Sequence, residues 1–263
     1  MKAGLPATRP PLRIFVDAPL AAGSGLALPP GPARHVQVLR AQPGDAVTLF
    51  NGAASLEWPA RILRMSRQGV EVQVGDAVPV ERELAVAVTL ALGVPANDRM
   101  DGLIEKAGEL GATAIQPLIC DRSVLRVADA RAEAKQRHWN AVAAAASEQC
   151  GRVRVTQVLP IRPLLDWLGD LRAPSSNGAG GCCLDVVLSL DAAALPPAAA
   201  LGEVAPALRV LSGPEGGLTA AEERAAVEHG FVRVGLGPRV LRADTAPLAL
   251  LAWLGLRTAK APG

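Results

Sequence analysis

The stretch Leu208-Arg209-Val210-Leu211-Ser212-Gly213-Pro214-Glu215-Gly216-Gly217 begins as an apolar run and breaks into three glycines within five residues. A strand ending in that way lets the backbone take positive φ angles and lets a ligand come close to the main chain. Thr219-Ala220-Ala221-Glu222 then reads as a capping box that opens a helix closing near His229-Gly230. A strand over 231–234 follows, then a second glycine-bearing loop, Gly235-Leu236-Gly237-Pro238-Arg239-Val240-Leu241-Arg242-Ala243-Asp244-Thr245. Thr245 is placed to N-cap an apolar helix over 246–256, with Asp244 favoured beside the helix's positive end. Strand, loop and helix repeated twice put both loops at carboxyl ends of parallel strands, where open α/β sheets bind ligands. From the residues alone two readings stand: the glycines line a pocket, or they only make tight turns.

Working upstream, a strand over 84–92 leads to an amphipathic helix over 99–110 closed by Gly111, a strand over 114–118 and a long helix over 129–148. Further strands are expected over 153–158 and 184–190. This alternation predicts a mostly parallel sheet covered on both faces. Before residue 80 the rhythm differs. Short strands over 12–16, 46–50, 58–63 and 70–74 are separated by Pro43-Gly44-Asp45, Asn51-Gly52 and Gln68-Gly69, the pattern of a small β-barrel. The 263 residues thus divide into a barrel over 1–80 and an α/β domain over 81–263. Residues 1–12 are expected to form a flexible leader, and 173–181, of linker composition, a surface loop inside the second domain.

With 50% hydrophobic and 20% charged residues, the composition is that of a packed soluble protein. The longest apolar stretch, 246–256, is broken by Pro247 and falls short of the ~20 residues of a membrane span. Prolines near the start disfavour an export signal, so a cytoplasmic location is expected. Cys120, Cys150, Cys182 and Cys183 lack zinc-ligand spacing and read as reduced thiols. The net charge of +2 permits nucleic-acid binding without announcing it; residues 1–80 carry eight Lys/Arg against five Asp/Glu. No G-x-x-x-x-G-K-[ST] or early G-x-G-x-x-G occurs, which gives no support to P-loop phosphate binding and disfavours both a dinucleotide dehydrogenase and the common Rossmann-like methyltransferase. His35, His138 and His229 join no catalytic or metal constellation, although His35 lies between Arg34 and Arg40. Trp139, Trp167 and Trp253 fall in predicted helices and are expected in the core or an interface.

Gly213 to Leu218, with Leu236-Gly237-Pro238-Arg239-Val240-Leu241-Arg242-Ala243-Asp244-Thr245-Ala246, closely resembles the C-terminal motifs of the RsmE family, SPOUT-class methyltransferases of a uridine N3 in 16S rRNA. The likeness extends to Glu105-Lys106-Ala107-Gly108-Glu109-Leu110-Gly111, to Pro117 and to Glu148-Gln149-Cys150-Gly151-Arg152. It also reaches Arg13-Ile14-Phe15, His35-Val36-Gln37-Val38-Leu39-Arg40 and Gly44-Asp45. Asp244 departs from the pattern, since the family usually carries Glu there; the carboxylate stays but reaches one methylene less far.

The resemblance implies an α/β trefoil-knot domain with a parallel sheet, preceded by a PUA-like β-barrel. Periodicity does not reveal a knot, and general topology rules run against one. It implies S-adenosyl-L-methionine as cofactor, held by Leu190, Gly213, Glu215, Gly216, Gly217, Leu236, Gly237, Val240, Leu241, Arg242 and Thr245. The implied partners are the 16S rRNA of the small ribosomal subunit and a second copy of the chain, with no membrane and no metal. Arg152, Arg242 and Asp244 are the implied catalytic residues: an arginine would favour the uracil N3 anion and a carboxylate accept its proton. Arg239 and Glu215 are further candidates. Plainer readings stand beside these, with Asp244 stabilising the last helix, Glu215 holding its loop, and Arg239 and Arg242 binding phosphate or pairing with acids. Arg13, Arg34, His35 and Arg40 are the expected RNA contacts. A SPOUT enzyme acting on another RNA, or an inactive assembly factor with the same fold, are the competing readings.

Overall fold

The computed structural model describes residues 11–95, 99–123, 129–171, 183–202 and 205–258. Residues 1–10 of the expected leader, the expected loop at 173–181 and Cys182 lie outside the described residues. The chain divides into two compact units, Met1–Arg82 with Glu148–Arg154, and Glu83–Ser147 with Val155–Gly263.

The first unit holds β1 (Leu12–Phe15), β2 (Gly25–Ala27), α1 (Pro30–Val38), β3 (Ala46–Phe50), β4 (Leu56–Ser66), β5 (Gly69–Val74) and β6 (Val78–Pro79). The sheet runs β1-β3-β4-β5-β2, with β6 on β4. Strand alternation builds its core: Val70, Val72 and Val74 turn inward with Ile14, Leu49 and Ile62, while Glu71 and Gln73 do not. A bulge between Ile62 and Arg64 lets Leu63 and Arg64 both face outward. The stretch around His35, expected within the barrel, is helix α1. Pro30 at its first position has no N–H to waste, and Ala33 and Val36, three apart, bury one face. Arg40 lies beyond its end with φ 58°.

The second unit holds β7 (Ala87–Gly93), α2 (Arg99–Glu109), β8 (Ala114–Ile119), most of α3 (Asp129–Cys150), β9 (Gln157–Val158), β10 (Arg162–Pro163), α4 (Leu164–Leu171), β11 (Cys183–Leu188), α5 (Pro197–Leu201), β12 (Ala207–Ser212), α6 (Ala220–Glu228), β13 (Val232–Val234) and α7 (Thr245–Thr258). Its sheet runs β10-β8-β7-β12-β11-β13, with β9 on β8, and the pairs are parallel.

Neighbouring residues of the central strands serve opposite faces. Leu90 and Val210 join Ile104 of α2 and Leu251 of α7 in one cluster, whereas Ala91 and Leu211 join Leu168 and Phe231 in the other. That is why β7 and β12 read as nearly unbroken apolar runs. Leu90 is fully buried, so Leu90→Ala would cost about 2–5 kcal/mol.

The strand expected over 153–158 shrinks to β9, and β2, β6, β10 and α5 were not anticipated. α7 starts at Thr245, because the Arg242 carbonyl accepts from the amides of both Thr245 and Ala246, at 3.0 Å each. Thr245 therefore sits in the first turn instead of capping it, and Asp244 holds the position before the helix. Trp139 and Trp167 are buried, and Trp253 is half-buried beneath the Arg257 guanidinium. Among the described residues no helix is long and apolar enough to cross a membrane.

Candidate functional site

Strand order decides where the site lies. β7, β12, β11 and β13 are consecutive neighbours and parallel, so Gly93, Ser212, Leu188 and Val234 bring their carboxyl ends to one edge. The direction in which strands are added reverses between β7 and β12, the place where open α/β sheets hold ligands. At this edge a cleft of about 530 Å³ opens among the loops that follow β11, β12 and β13, with Arg99 at its side.

One wall is the glycine loop after β12. The Gly217 amide donates to the Pro214 carbonyl at 2.8 Å, closing a turn with Glu215 and Gly216 at its corners, and Gly217 has φ 69°. Two glycines are fixed by space. A Cβ on Gly213 would lie 2.6 Å from the Leu218 nitrogen, and one on Gly93 would lie 2.5 Å from Pro214 nitrogen and Cδ. The loop thus rests on the end of β7, with no room for a side chain at either contact.

Residues after β8 clamp this loop from outside. Arg122 Nη1 donates to the Gly216 carbonyl at 2.7 Å. Glu222, 3% exposed, accepts from the amides of Asp121 at 2.8 Å and Thr219 at 2.7 Å, while the Thr219 hydroxyl caps α6 in return. The expected capping box is present, and its carboxylate also ties α6 to the loop after β8.

The second wall is the loop after β13, where Leu236, Arg239, Val240, Leu241, Arg242 and Ala243 line the cleft. Its start is laced by the Gly235 amide donating to the Leu195 carbonyl at 2.9 Å. Ser189 and Leu190, after β11, also line the cleft. The Ser189 hydroxyl donates to Glu223 at 2.8 Å, and Glu223 also receives Arg233 Nε at 2.6 Å. At the glycine-loop side, Arg99 Nη1 lies 3.5 Å from Glu215 Oε1, and both side chains line the cleft.

The structure brings Leu190, Gly213, Glu215, Gly216, Gly217, Leu236, Val240, Leu241 and Arg242, all residues that the resemblance assigns to the cofactor, together at the lining of one cleft. Gly237 and Thr245 are not among the lining residues. Gly237 bends the second loop at φ 97°, and Thr245 opens α7 with its hydroxyl 3.4 Å from Asp244. Of the three expected catalytic residues, Arg242 lines the cleft. Asp244 lies two positions further on, half-buried, and Arg152 falls in the first unit, 4% exposed.

In the first unit Arg13 is taken up internally. It pairs with Glu57, donates to the Arg152 carbonyl at 2.8 Å and lies 5.0 Å from the Phe50 ring centroid. Arg34 and Arg40 are exposed, while His35 Nδ1 lies 3.3 Å from Glu148 Oε2. His138 faces Asp101 at 2.6 Å on the surface, and the half-buried His229 faces the Ala225 carbonyl at 2.7 Å.

Arg99, Ser189, Arg122 and the second use of Glu222 escaped the sequence reading. One signal pointed to Arg99: it follows a predicted parallel strand, and so belongs at the same sheet edge as the glycine loops.

Comparison with known proteins draws these observations together. A family model described as an RNA methyltransferase domain matches residues 82–255, and one described as an RNA methyltransferase PUA domain matches 33–75. The chain is 31% identical over 233 residues to ribosomal RNA small subunit methyltransferase E of Bacillus subtilis, covering 85% of this chain and 86% of that protein. The Synechocystis protein of the same name is 31% identical over 224 residues, covering 82% and 67%. The crystal structure of ribosomal RNA small subunit methyltransferase E from Neisseria gonorrhoeae, bound to S-adenosyl methionine, superposes with a TM-score of 0.82 at 32% identity, over 94% of this chain and 98% of that one. Because these matches run through both units, the chain belongs to the ribosomal RNA small subunit methyltransferase E family, rRNA methyltransferases with an RNA methyltransferase domain behind a PUA domain.

Proposed function

We propose that this chain methylates N3 of a uridine in the 16S rRNA of the small ribosomal subunit, with S-adenosyl-L-methionine held in the cleft, as a cytoplasmic homodimer. The convergence of the two glycine-bearing loops on one cleft carries the reading. Its volume falls in the range of small-molecule sites, roughly 300–1,000 Å³. The lining also suits the ligand: Leu188, Val234, Leu236 and Leu241 offer apolar surface for a flat base, and Gly216 and Gly217 leave the main chain bare for close approach. Bound there, the cofactor supplies a methyl group already activated by its sulfonium, and the protein's task becomes positioning.

The nucleophile needs help, because uracil N3 must lose its proton. Arg242, exposed at the cleft, is the cation that favours the resulting anion. Asp244 is the carboxylate that takes the proton. Arg152 stands as a second cation on the family resemblance alone. Arg34 and Arg40 present exposed guanidinium groups suited to phosphate, with His35 between them on α1. Leu190 and Val240, 73% and 78% exposed beside the cleft, are apolar surface that a second copy would cover.

The test is incubation with labelled S-adenosyl-L-methionine and small subunits from a strain lacking the enzyme, followed by nucleoside analysis. Label in 3-methyluridine is expected. Label in another nucleoside, or none, overturns the reading.

A further inference from the structure

The lining of the cleft carries four charged side chains, Arg99, Glu215, Arg239 and Arg242. Opposite charges adjoin in Arg99 and Glu215, 3.5 Å apart. The proposed cofactor ends in an amino-acid head, with an ammonium and a carboxylate on the same carbon. Such a head needs an anion and a cation side by side. We infer that Arg99 and Glu215 form the subsite for this zwitterionic head, Arg99 taking the carboxylate and Glu215 the ammonium.

The energetics favour the exchange. Side chains 50% and 34% exposed hold each other weakly through water, so parting them to admit a zwitterion costs little. Arginine presents a planar fork that a carboxylate fits with two hydrogen bonds, a geometry lysine lacks. Placement agrees as well. Glu215 stands at the corner of the glycine turn, where Arg122 and the Pro214–Gly217 hydrogen bond fix the backbone, while Arg99 starts α2 beyond the end of β7. The two charges come from different elements and meet at the cleft.

This inference rests on the reading that the cleft holds S-adenosyl-L-methionine, and the experiment separates the two. Calorimetry on the full-length chain compares S-adenosylhomocysteine with 5′-methylthioadenosine, which shares the nucleoside and thioether but lacks the amino-acid head. Arg99→Met should bind S-adenosylhomocysteine roughly tenfold to a hundredfold more weakly, with methylthioadenosine unchanged. Glu215→Gln should show the same selective loss, and Arg99→Lys, which keeps the charge, a smaller one. If both ligands weaken together, Arg99 only shapes the loop and the assignment fails. It fails too if neither weakens, or if Arg99→Met loses RNA affinity alone, which would make Arg99 a phosphate contact. A wild-type chain that binds neither ligand removes the cofactor reading and this subsite with it.

Discussion

Arg122 and Gly216 lie 94 residues apart in sequence, yet the arginine's Nη1 donates to the glycine's carbonyl oxygen at 2.7 Å. The aliphatic stem also lies close beneath the turn, since a Cβ at position 216 would be 3.1 Å from Arg122 Cβ. The glycine turn, free to move by its composition, is held from outside by a charge-assisted hydrogen bond. Arg122→Ala should therefore weaken S-adenosylhomocysteine binding by about tenfold. Its melting temperature should barely change, because the side chain is exposed. Calorimetry and a thermal melt check both, and unaltered affinity would show that the turn needs no clamp.

Glu222 carries more of the fold than of the ligand. Removing its side chain in Glu222→Ala orphans the Asp121 and Thr219 amides and dissolves the capping box. A loss of about 1–3 kcal/mol in urea unfolding is expected. Glu222→Gln keeps one acceptor oxygen and should lose less.

Gly93→Ala tests the seat of the loop. The new methyl would meet Pro214 at 2.5 Å, a main-chain nitrogen that cannot swing aside as a flexible side chain would. Overpacking of this kind costs about 1–3 kcal/mol. Because relief comes by displacing Pro214 and Gly213, cofactor affinity should fall alongside stability. A variant that melts early but binds normally would contradict the close fit.

Arg242→Ala should lower methyl transfer by about a hundredfold or more while leaving S-adenosylhomocysteine binding in place. The Arg242 backbone carbonyl, which starts α7, is untouched by the change. Wild-type turnover would remove the side chain from the chemistry.

These predictions divide along a line that runs through the sequence itself. Gly213, Gly217, Thr219 and Glu222 announced their roles because the local backbone dictates residue type: positive φ, tight turns and caps are short-range demands. The parallel sheet was readable for a similar reason, since strands buried on both faces must be apolar at nearly every position. Arg122 gave no comparable mark, and Arg99 only its place after a predicted strand. Their function is to reach a loop distant in sequence, and no local pattern encodes a partner that far away. Helix α1 was missed because prolines at 29, 30 and 32 look like a break, although a proline at a helix start costs no hydrogen bond. Segment 148–154, whose first five residues the sequence offers as a motif, belongs with the first unit, a fact only contacts reveal.

One of those contacts titrates. Glu148 accepts from the Phe15 amide at 2.8 Å and faces His35 Nδ1 at 3.3 Å, with the Arg13 guanidinium also acting on it. Burial nonetheless raises its pKa above the ordinary 4.5, outweighing the hydrogen bonds and nearby cations that pull it down. The folded chain therefore binds this proton more tightly than the unfolded chain. Its contribution to stability is complete below pH 4.5 and is lost as pH rises through the higher folded value. Glu148→Gln keeps an oxygen for the Phe15 amide and removes the titration. Urea midpoints of the variant should gain on those of the wild type as pH climbs from 4.5, the sign set by a carboxylate that is costly to ionise where it sits. Midpoints that track each other across that range would mean that the Phe15 and His35 contacts and the field of Arg13 repay the burial in full, and that Glu148 holds α1 and β1 as a charge.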